Sequence, residues 1–213
     1  MNNKPIYLFS ISSHPDAISV NSLDVTFFQP KINFSKYDYL IITSKQASKA
    51  LEQYANKEYL LKPALCVSAQ SAKSFENLGG NVLAVGKGYG DNLIEQIKSY
   101  PKNKKWLYLR AKVVASDFVS TCKKDAYSID EKIVYESDCS MAIEDINVEN
   151  DAVLIFTSPS SVKCFLKNHN LLHTHKIIVI GTTTAKAIPQ NIDFMLSSKT
   201  TIESCMQIAS SLK

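Results

Sequence analysis

The sequence lacks any apolar run of the roughly 18 to 20 residues needed to cross a bilayer as a helix. The apolar segment Ile6–Ile11 is too short for the hydrophobic core of a secretory signal, and no small-residue cleavage pattern follows it. Hydrophobic residues make up 45% and charged residues 21% of the chain, an ordinary globular mixture. We therefore expect a globular protein that stays in the cytoplasm and has no membrane partner.

Paired cysteine motifs are also absent. The five cysteines are odd in number, scattered along the chain and never spaced as C-x-x-C. In a reducing compartment we expect most of them to be small, buried hydrophobic residues. They are Cys66, Cys122, Cys139, Cys164 and Cys205.

The net charge of the chain is small. The 24 basic and 20 acidic side chains leave a formal net charge of only +4, and no cluster of Lys and Arg is dense enough for a nucleic-acid surface. A mild positive charge favours the attraction of an anionic small molecule. We therefore expect a small-molecule ligand and no nucleic-acid partner.

Motifs for cofactors and covalent catalysis are missing as well. The glycine-rich run Gly86–Gly90 does not have the spacing G-x-G-x-x-G and does not follow the first strand of a domain, so a turn or a loop beside the substrate explains it better than a nucleotide site. His169, His173 and His175 fit a polar helix-to-strand loop as well as they fit metal ligands. No Ser-His-Asp or Cys-His arrangement is evident. We expect no metal and no cofactor.

What the sequence does contain is an alternation of short apolar runs, rich in β-branched residues, with segments of helical period. Strands that are apolar on both faces and separated by helices are typical of parallel sheets covered on both sides. The predicted strands are Ile6–Ile11, Val25–Phe28, Tyr39–Thr43, Leu65–Ser68, Val82–Val85, Trp106–Leu109, Lys132–Tyr135, Val153–Thr157, Ile177–Ile180 and Phe194–Leu196. The predicted helices are Gln46–Tyr54, Ser71–Leu78, Asn92–Tyr100, Ala115–Lys123, Ser160–Lys167, Thr183–Ile188 and Ile202–Leu212.

An internal repeat indicates two similar domains. The segment Leu40–Ala47 reads again as Leu154–Ser161, and Cys66–Lys73 is echoed by Val179–Lys186. Two copies are too few for a solenoid, but they fit two domains that contain strand–turn–helix units in the same order.

The two halves are unequal, because only one strand and one helix follow the second copy, whereas a single β-α-β stretch precedes the first. Such a stretch does not bury its own faces, so we expect it to join the C-terminal third of the chain. The prediction is an α/β protein with a discontinuous domain formed by residues 1–30 and 138–213. An inserted domain covers residues 34–132, and extended linkers lie at about 28–34 and 133–139.

Four hydroxyl-bearing turns connect a buried strand to the helix that follows it. Because the carboxyl ends of parallel strands form the ligand-binding edge of such a sheet, these turns are candidates for binding carboxylates. Simple helix capping is the alternative explanation for each of them. Two facing domains would present all four turns to one cleft. The candidate residues are Thr43, Ser44, Ser68, Ala69, Gln70, Ser71, Thr157, Ser158, Ser160, Gly181, Thr182, Thr183 and Thr184.

Three further side chains are candidates. Arg110 and Lys112 follow the predicted strand Trp106–Leu109, where a cation is suited to pair with a ligand carboxylate; a solvated basic loop is the alternative. Tyr135 lies in the second linker. Its hydroxyl either donates a proton or hydrogen bond to a departing oxygen or simply packs.

These motifs resemble the uroporphyrinogen-III synthase family. That family has a strand ending F-T-S-P, a later I-G-x-T-T-A turn and a V-Y-x-T/S linker. Here the matching segments are Ile42–Lys45, Phe156–Pro159, Ile180–Ala185 and Val134–Ser137, and the resemblance runs from about residue 5 to the C-terminus. The first match departs from the pattern, because Lys45 replaces the proline.

The resemblance implies two flavodoxin-like parallel-sheet domains joined by two extended linkers, the first domain being discontinuous. It also implies a cytoplasmic lyase of haem biosynthesis that uses no cofactor. Its substrate would be the linear polycarboxylate hydroxymethylbilane, which it would cyclise with inversion of the last pyrrole ring. Tyr135 would assist departure of the substrate hydroxyl. We expect a monomer that contacts the preceding pathway enzyme transiently.

Two other classes of protein share parts of this pattern. A non-catalytic two-lobed binding protein has the same hinged α/β plan, and it would hold an anionic ligand without altering it. A flavodoxin-like regulatory or nucleotide-binding module would need a phosphate loop after a domain's first strand or an acidic cluster. Neither feature is evident in the sequence.

Overall fold

The fold is described from a computed structural model of the chain, which covers residues 4–88, 90–114 and 116–212. Tyr89 of the glycine-rich run and Ala115, the predicted start of a helix, lie outside the described residues. Within those residues no helix has the length and apolar character needed to cross a membrane.

Eleven strands are described; ten of them overlap the predicted strands, whereas the strand Ile18–Val20 was not predicted. They are β1 (Ile6–Phe9), β2 (Ile18–Val20), β3 (Leu23–Phe27), β4 (Tyr39–Ile42), β5 (Ala64–Cys66), β6 (Val82–Val85), β7 (Lys105–Ala111), β8 (Ser128–Cys139), β9 (Val153–Phe156), β10 (Lys176–Val179) and β11 (Met195–Leu196).

Seven α-helices lie between these strands in the described part of the chain. They are α1 (Lys45–Leu51), α2 (Ala69–Glu76), α3 (Leu93–Lys98), α4 (Phe118–Lys124), α5 (Pro159–Asn168), α6 (Thr182–Ala185) and α7 (Ile202–Ser210). Short 3₁₀ turns occur at Phe34–Lys36, Glu58–Leu61, Gly90–Asn92 and Met141–Ile143.

The chain divides into two compact units. The first contains the chain up to Asp24 and from Asp138 onward, and the second contains Val25–Ser137. Each unit has its own sheet and its own apolar clusters. The discontinuity that strand counting predicted is thus a feature of the structure, although the division falls at different residues.

The sheet of the first unit has the order β11-β10-β9-β1-β2, and all its strands are parallel. Counted along the chain, this is the flavodoxin-like order 2-1-3-4-5. Side chains alternate between its faces, so that Tyr7 packs in one cluster with Phe165 of α5, whereas Ile6 packs in another with Met206 of α7. Helices therefore cover both faces of the sheet.

The sheet of the second unit has the order β3-β8-β7-β4-β5-β6. Counted from β4, its five parallel strands follow the other common doubly wound order, 3-2-1-4-5. The same alternation places Leu107 of β7 in a cluster with Phe75 of α2, and Tyr108 in a cluster with Phe118 of α4. This sheet is also covered on both faces.

The predicted position of the strand Val25–Phe28 is wrong, since it corresponds to β3 and lies at the edge of the second sheet beside β8. Backbone bonds from Phe28 to Val134 and from Ser140 to Ser22 show that β3 runs antiparallel to β8. The division between the units falls after Asp24, within β3, so residues 25–30 and the predicted linker 28–34 belong to the second unit.

The second predicted linker, residues 133–139, is the distal half of β8 rather than a separate segment. One strand of 12 residues, Ser128–Cys139, continues past the division between the units after Ser137. Its first half pairs with β7 inside the second sheet, and that pairing could not be recognised from the extended character of the sequence alone.

The predicted β-α-β stretch at the N-terminus lacks its helix. All the residues between β1 and β2 are described, and they form bends and a turn instead. Pro15 lies in this short connection. A connection of this length has no room for a regular helix that packs back on the sheet.

Two of the five cysteines form a disulfide, which was not predicted from the sequence. Cys139 at the end of β8 forms a disulfide with Cys164 of α5, 25 residues further along the chain. The other three, Cys66, Cys122 and Cys205, are free and buried as expected. Burial raises the pKa of Cys66 to about 12, so its thiol remains protonated and unreactive.

Reduction of this disulfide is expected to lower the free energy of unfolding by about 3 kcal/mol, because the crosslink removes the entropy of a 25-residue loop from the unfolded chain. Urea unfolding with and without a thiol reductant measures the difference. The double variant Cys139→Ser, Cys164→Ser is the control and should have the same free energy of unfolding with and without the reductant. Finding more than the three free thiols in the oxidised, denatured wild-type protein would contradict the crosslink.

Candidate active site

The strand order of the first sheet reverses between β1 and β9, which pair with each other. In doubly wound sheets, ligands bind in the crevice outside the carboxyl ends of the strands at such a reversal. Thr157 follows β9 here, and its hydroxyl donates to the carbonyl oxygen of Phe9, which ends β1, over 3.2 Å. The predicted turn Thr157–Ser158 therefore lies at the reversal point of the first sheet.

The strand order of the second sheet reverses between β4 and β7. Thr43 follows β4 at this point, and its Oγ1 lies 3.1 Å from the hydroxyl of Tyr108 on β7. The predicted turn Thr43–Ser44 thus has the equivalent position in the second sheet. The two Thr-Ser turns of the internal repeat mark the two points at which this class of sheet binds ligands.

Tyr135 lies on β8, with β7 between it and β4. The side chain of Ser44 interacts with its hydroxyl, and the Ser44 oxygen accepts a bond from the N–H of Gln46 at the start of α1. Tyr135 is only 8% exposed, and burial raises the pKa of its hydroxyl, although the side chain of Ser44 acts to lower it. The structure therefore brings the predicted catalytic tyrosine together with the predicted turn after β4.

The second predicted turn of this unit follows β5. Ser68 and Ser71 form a reciprocal cap at the start of α2, because the hydroxyl oxygen of each accepts a bond from the backbone N–H of the other, at 3.3 and 3.0 Å. Ser71 is buried, whereas Ala69 and Gln70 are exposed. Capping explains both serines, so the exposed part of this turn consists of Ala69 and Gln70.

The same reciprocal cap begins α5. The hydroxyl of Ser158 accepts from the N–H of Ser161 at 3.0 Å, the hydroxyl of Ser161 accepts from the N–H of Ser158 at 3.1 Å, and Pro159 takes the first helical position. Ser160 is exposed on the first turn. The two reciprocal caps are not equivalent in the internal repeat, since Ser158 corresponds to Ser44 and Ser68 corresponds to Gly181.

The last predicted turn connects β10 to α6. Gly181 precedes the helix, and a Cβ at this position would lie 3.3 Å from the methyl group of Thr200, which explains why a residue without a side chain fits here. Thr182 and Thr183 are both exposed at the carboxyl edge of the sheet. Thr184 is buried, and its side chain packs within the unit instead.

Arg110 and Lys112 both have acidic partners within the second unit. The guanidinium of Arg110 donates to Glu131 at 2.8 Å and also to the carbonyl oxygens of Ala111 and Lys112. Lys112 Nζ lies 2.6 Å from a carboxylate oxygen of Glu136. This arrangement favours a structural role for Arg110, which stabilises the end of β7, over the predicted contact with a ligand carboxylate.

Two groups at the reversal points were not predicted. Tyr108 was predicted only as part of the buried strand Trp106–Leu109. Because side chains alternate along β7, Tyr108 lies on the same face as Arg110, which follows it by two residues. Ser10 follows β1 directly, is buried, and accepts a bond from the N–H of Ser12. A polar residue that directly follows a buried strand is the signal that would have identified Ser10.

Two of the three histidines considered as metal ligands have other bonding partners. His169 Nε2 bonds to the carbonyl oxygen of Ile143, and His175 Nδ1 accepts from the N–H of Leu172. Across the residues that the structure describes, no three His, Cys, Asp or Glu side chains are grouped to hold a metal ion.

A cavity of about 260 Å³ lies within the first unit, next to the beginning of β10 and β11. His175, Lys176 and Met195 are among the residues that line it. It is therefore at the amino edge of the sheet, opposite to the edge at which the Thr-Ser turn lies. None of the predicted site residues lines this cavity, and the strand-order rule favours the carboxyl edge as the ligand site.

Two doubly wound units, one of them formed from both ends of the chain, with a Thr-Ser turn at the reversal point of each sheet, define a class of two-domain α/β proteins. The sequence profile of the family described as uroporphyrinogen-III synthase HemD matches residues 17–207. The chain belongs to this family, which places it among the proteins of porphyrin and haem biosynthesis.

Solved structures share the fold. The chain is similar to uroporphyrinogen-III synthetase from Helicobacter pylori, with a TM-score of 0.84 and 24% identity over 99% of this chain and 100% of that chain. It is also similar to a mutant uroporphyrinogen III synthase from the extremely thermophilic bacterium Thermus thermophilus, with a TM-score of 0.62 and 12% identity over 92% and 90% of the two chains. None of the curated proteins matches the chain.

Replacing Ser158 with alanine is expected to lower the free energy of unfolding by about 1 kcal/mol, because the N–H of Ser161 loses its capping oxygen. The matched control is Ser160→Ala, an exposed position on the same turn, which should change stability by less than about 0.5 kcal/mol. Urea unfolding followed by circular dichroism measures both. Equal losses in the two variants would contradict the capping role of Ser158.

Proposed function

We propose that this chain is a uroporphyrinogen-III synthase, a lyase that cyclises hydroxymethylbilane to uroporphyrinogen III with inversion of the terminal pyrrole ring. Family membership supports the class of reaction. The observation that supports a site is the position of the Thr43–Ser44 turn at the reversal point of the second sheet, where the side chain of Ser44 interacts with the hydroxyl of Tyr135, a proton donor.

In each unit, the turns at the carboxyl edge of the sheet would bind carboxylates of the linear tetrapyrrole. Thr43 and Ser44 supply hydroxyls in the second unit, and Thr157, Ser158 and Thr183 supply them in the first. All five side chains are half-buried or exposed, so they are open to a ligand. The formal net charge of +4 adds a mild attraction for a polyanion.

Tyr135 would act as a general acid. Burial raises the pKa of its hydroxyl, so the proton is present at neutral pH and is available to the departing hydroxyl of the substrate. The C–O bond breaks and the oxygen leaves as water, and the resulting azafulvene is attacked by the last pyrrole ring at the carbon that already carries its methylene link, which forms a spiro intermediate. The old bond between that carbon and the methylene then breaks, the ring turns over, and the methylene bonds to the free carbon on the other side of the ring. The proton released from that carbon replaces the one that Tyr135 gave, and no net oxidation occurs, so the reaction needs no electron acceptor.

Positioning would supply most of the rate enhancement. The azafulvene is reactive enough to close without help, and unassisted closure joins the ends without inverting the last ring. An enzyme that fixes the chain in the geometry for inversion gains up to roughly 7–11 kcal/mol from proximity and orientation. Several short hydroxyl groups at rigid strand ends are suited to this task, since their positions vary little.

The proposal further assigns the reaction to the cytoplasm, with the chain acting as a monomer. The substrate closes spontaneously, so a transient contact with the enzyme that releases it would shorten its time in water. Loss of type III product when the two enzymes are separated by a dialysis membrane would support such a transfer.

The test of the function is product analysis. Hydroxymethylbilane is generated in the presence of the chain, the products are oxidised, and the type I and type III isomers are separated by chromatography. A dominant type III isomer is the expected result. Type I alone, the product of unassisted closure, would overturn the proposal and favour a protein that binds a tetrapyrrole without converting it.

The variant Tyr135→Phe is expected to reduce kcat for type III formation about a hundredfold, because the general acid is lost while the ring still fills its place. The matched control is Tyr54→Phe. Tyr54 belongs to the same apolar cluster, is also 8% exposed, and donates to the carbonyl oxygen of Pro30, so it reports the loss of a buried hydroxyl without the loss of a proton donor. Similar activity in the two variants would remove Tyr135 from the catalytic role.

A further inference from the structure

The Thr43–Ser44 turn is in contact with two tyrosine hydroxyls that approach from opposite faces of the second sheet. Tyr108 belongs to the apolar cluster that contains residues of α3 and α4, and its hydroxyl lies 3.1 Å from Thr43 Oγ1. Tyr135 belongs to the cluster that contains residues of α1 and α2, and its hydroxyl interacts with the side chain of Ser44. Adjacent residues of one turn therefore each interact with a tyrosine hydroxyl.

Tyr108 is well placed to fix the position of this turn. Its side chain is 3% exposed, and its ring packs on Phe118 of α4 with a centroid distance of 5.0 Å. A tyrosine ring has few rotatable bonds, so close packing on both sides leaves its hydroxyl little freedom. Thr43 is bonded to a nearly immobile partner, whereas an exposed turn would otherwise move with solvent.

The hydroxyl of Tyr108 is buried in a cluster of apolar side chains. A phenylalanine at this position would fill the same space in the cluster without placing an oxygen in an apolar environment. Burial raises the pKa of Tyr108, which keeps its hydroxyl protonated and able to donate or accept at Thr43. The hydrogen bond to Thr43 accounts for the presence of the oxygen.

We propose that Tyr108 is a positioning residue, which fixes the Thr43–Ser44 turn and thereby the hydroxyl of Tyr135. The inference rests on the proposed function for its consequence in catalysis, but the structural link it describes is independent of any activity. Tyr108 does not contact the substrate in this account. It acts through two steps, first the bond to Thr43 and then the interaction between the neighbouring Ser44 and Tyr135.

The variant Tyr108→Phe tests the proposal, with Tyr127→Phe as the matched control. Tyr127 lies in the same apolar cluster, is also buried, and donates to the backbone carbonyl of Lys98, away from the turn. Both variants lose one buried hydroxyl. We expect kcat per folded molecule to fall about tenfold in Tyr108→Phe, as for a displaced catalytic group, and by less than about twofold in Tyr127→Phe.

A double-mutant cycle of Tyr108→Phe and Tyr135→Phe distinguishes a positioning role of Tyr108 from a general loss of structure. In a Tyr135→Phe background there is no phenol left to position, so adding Tyr108→Phe should change kcat by less than about twofold. The conservative variant Thr43→Ser keeps the hydroxyl and should retain most of the activity. Thr43→Val also loses a hydroxyl proposed to bind the substrate, so its kcat should fall at least as far as in Tyr108→Phe and its KM should rise as well. A tenfold loss that repeats in the Tyr135→Phe background would overturn the proposal.

A second readout needs no substrate. In protein labelled with ¹³C at the tyrosine ring carbon that bears the hydroxyl, the resonance of Tyr135 reports its interaction with Ser44. Tyr108→Phe is expected to shift this resonance, whereas Tyr127→Phe should leave it in place. An unmoved Tyr135 resonance in Tyr108→Phe would overturn the inference. Absence of type III product from the wild-type chain would instead overturn only the proposed function.

Discussion

A threonine hydroxyl bonds across the reversal point of each sheet, and the arrangement of the candidate site depends on these two contacts. Strands on either side of a reversal send their connections in opposite directions, which leaves a crevice with few side chains to cover the backbone. Thr157 satisfies the carbonyl oxygen of Phe9 in one crevice, and Thr43 meets Tyr108 in the other. The serine after each threonine can then cap the next helix at a defined position.

The local parts of this arrangement were predictable from the sequence. A run such as Leu40–Ile42 is apolar on both faces, so it had to be a buried strand, and the Thr-Ser pair after it had to be a polar turn at the start of a helix. The repetition of that pattern predicted two parallel-sheet units. The hydroxyl turns were found for the same reason, because their chemistry is contained in a few consecutive residues.

Pairings between distant residues were not predictable in the same way. The strand β3 has the composition of an ordinary strand, and only its backbone bonds with β8 show that it belongs to the second sheet. Cys139 and Cys164 meet because the end of β8 and the middle of α5 are neighbours in the first unit. Arg110 looked free for a ligand, since its partner Glu131 lies on a different strand.

The central claim is that each unit binds the ligand at the carboxyl edge of its own sheet. Amide chemical shifts recorded while ¹⁵N-labelled protein is titrated anaerobically with uroporphyrinogen III test it most directly. The account predicts that the largest changes occur at the turns Thr43–Ser44 and Thr157–Ser158. Changes confined to the opposite edge of the first sheet, around His175 and Lys176, would place the ligand in the cavity there and contradict the account.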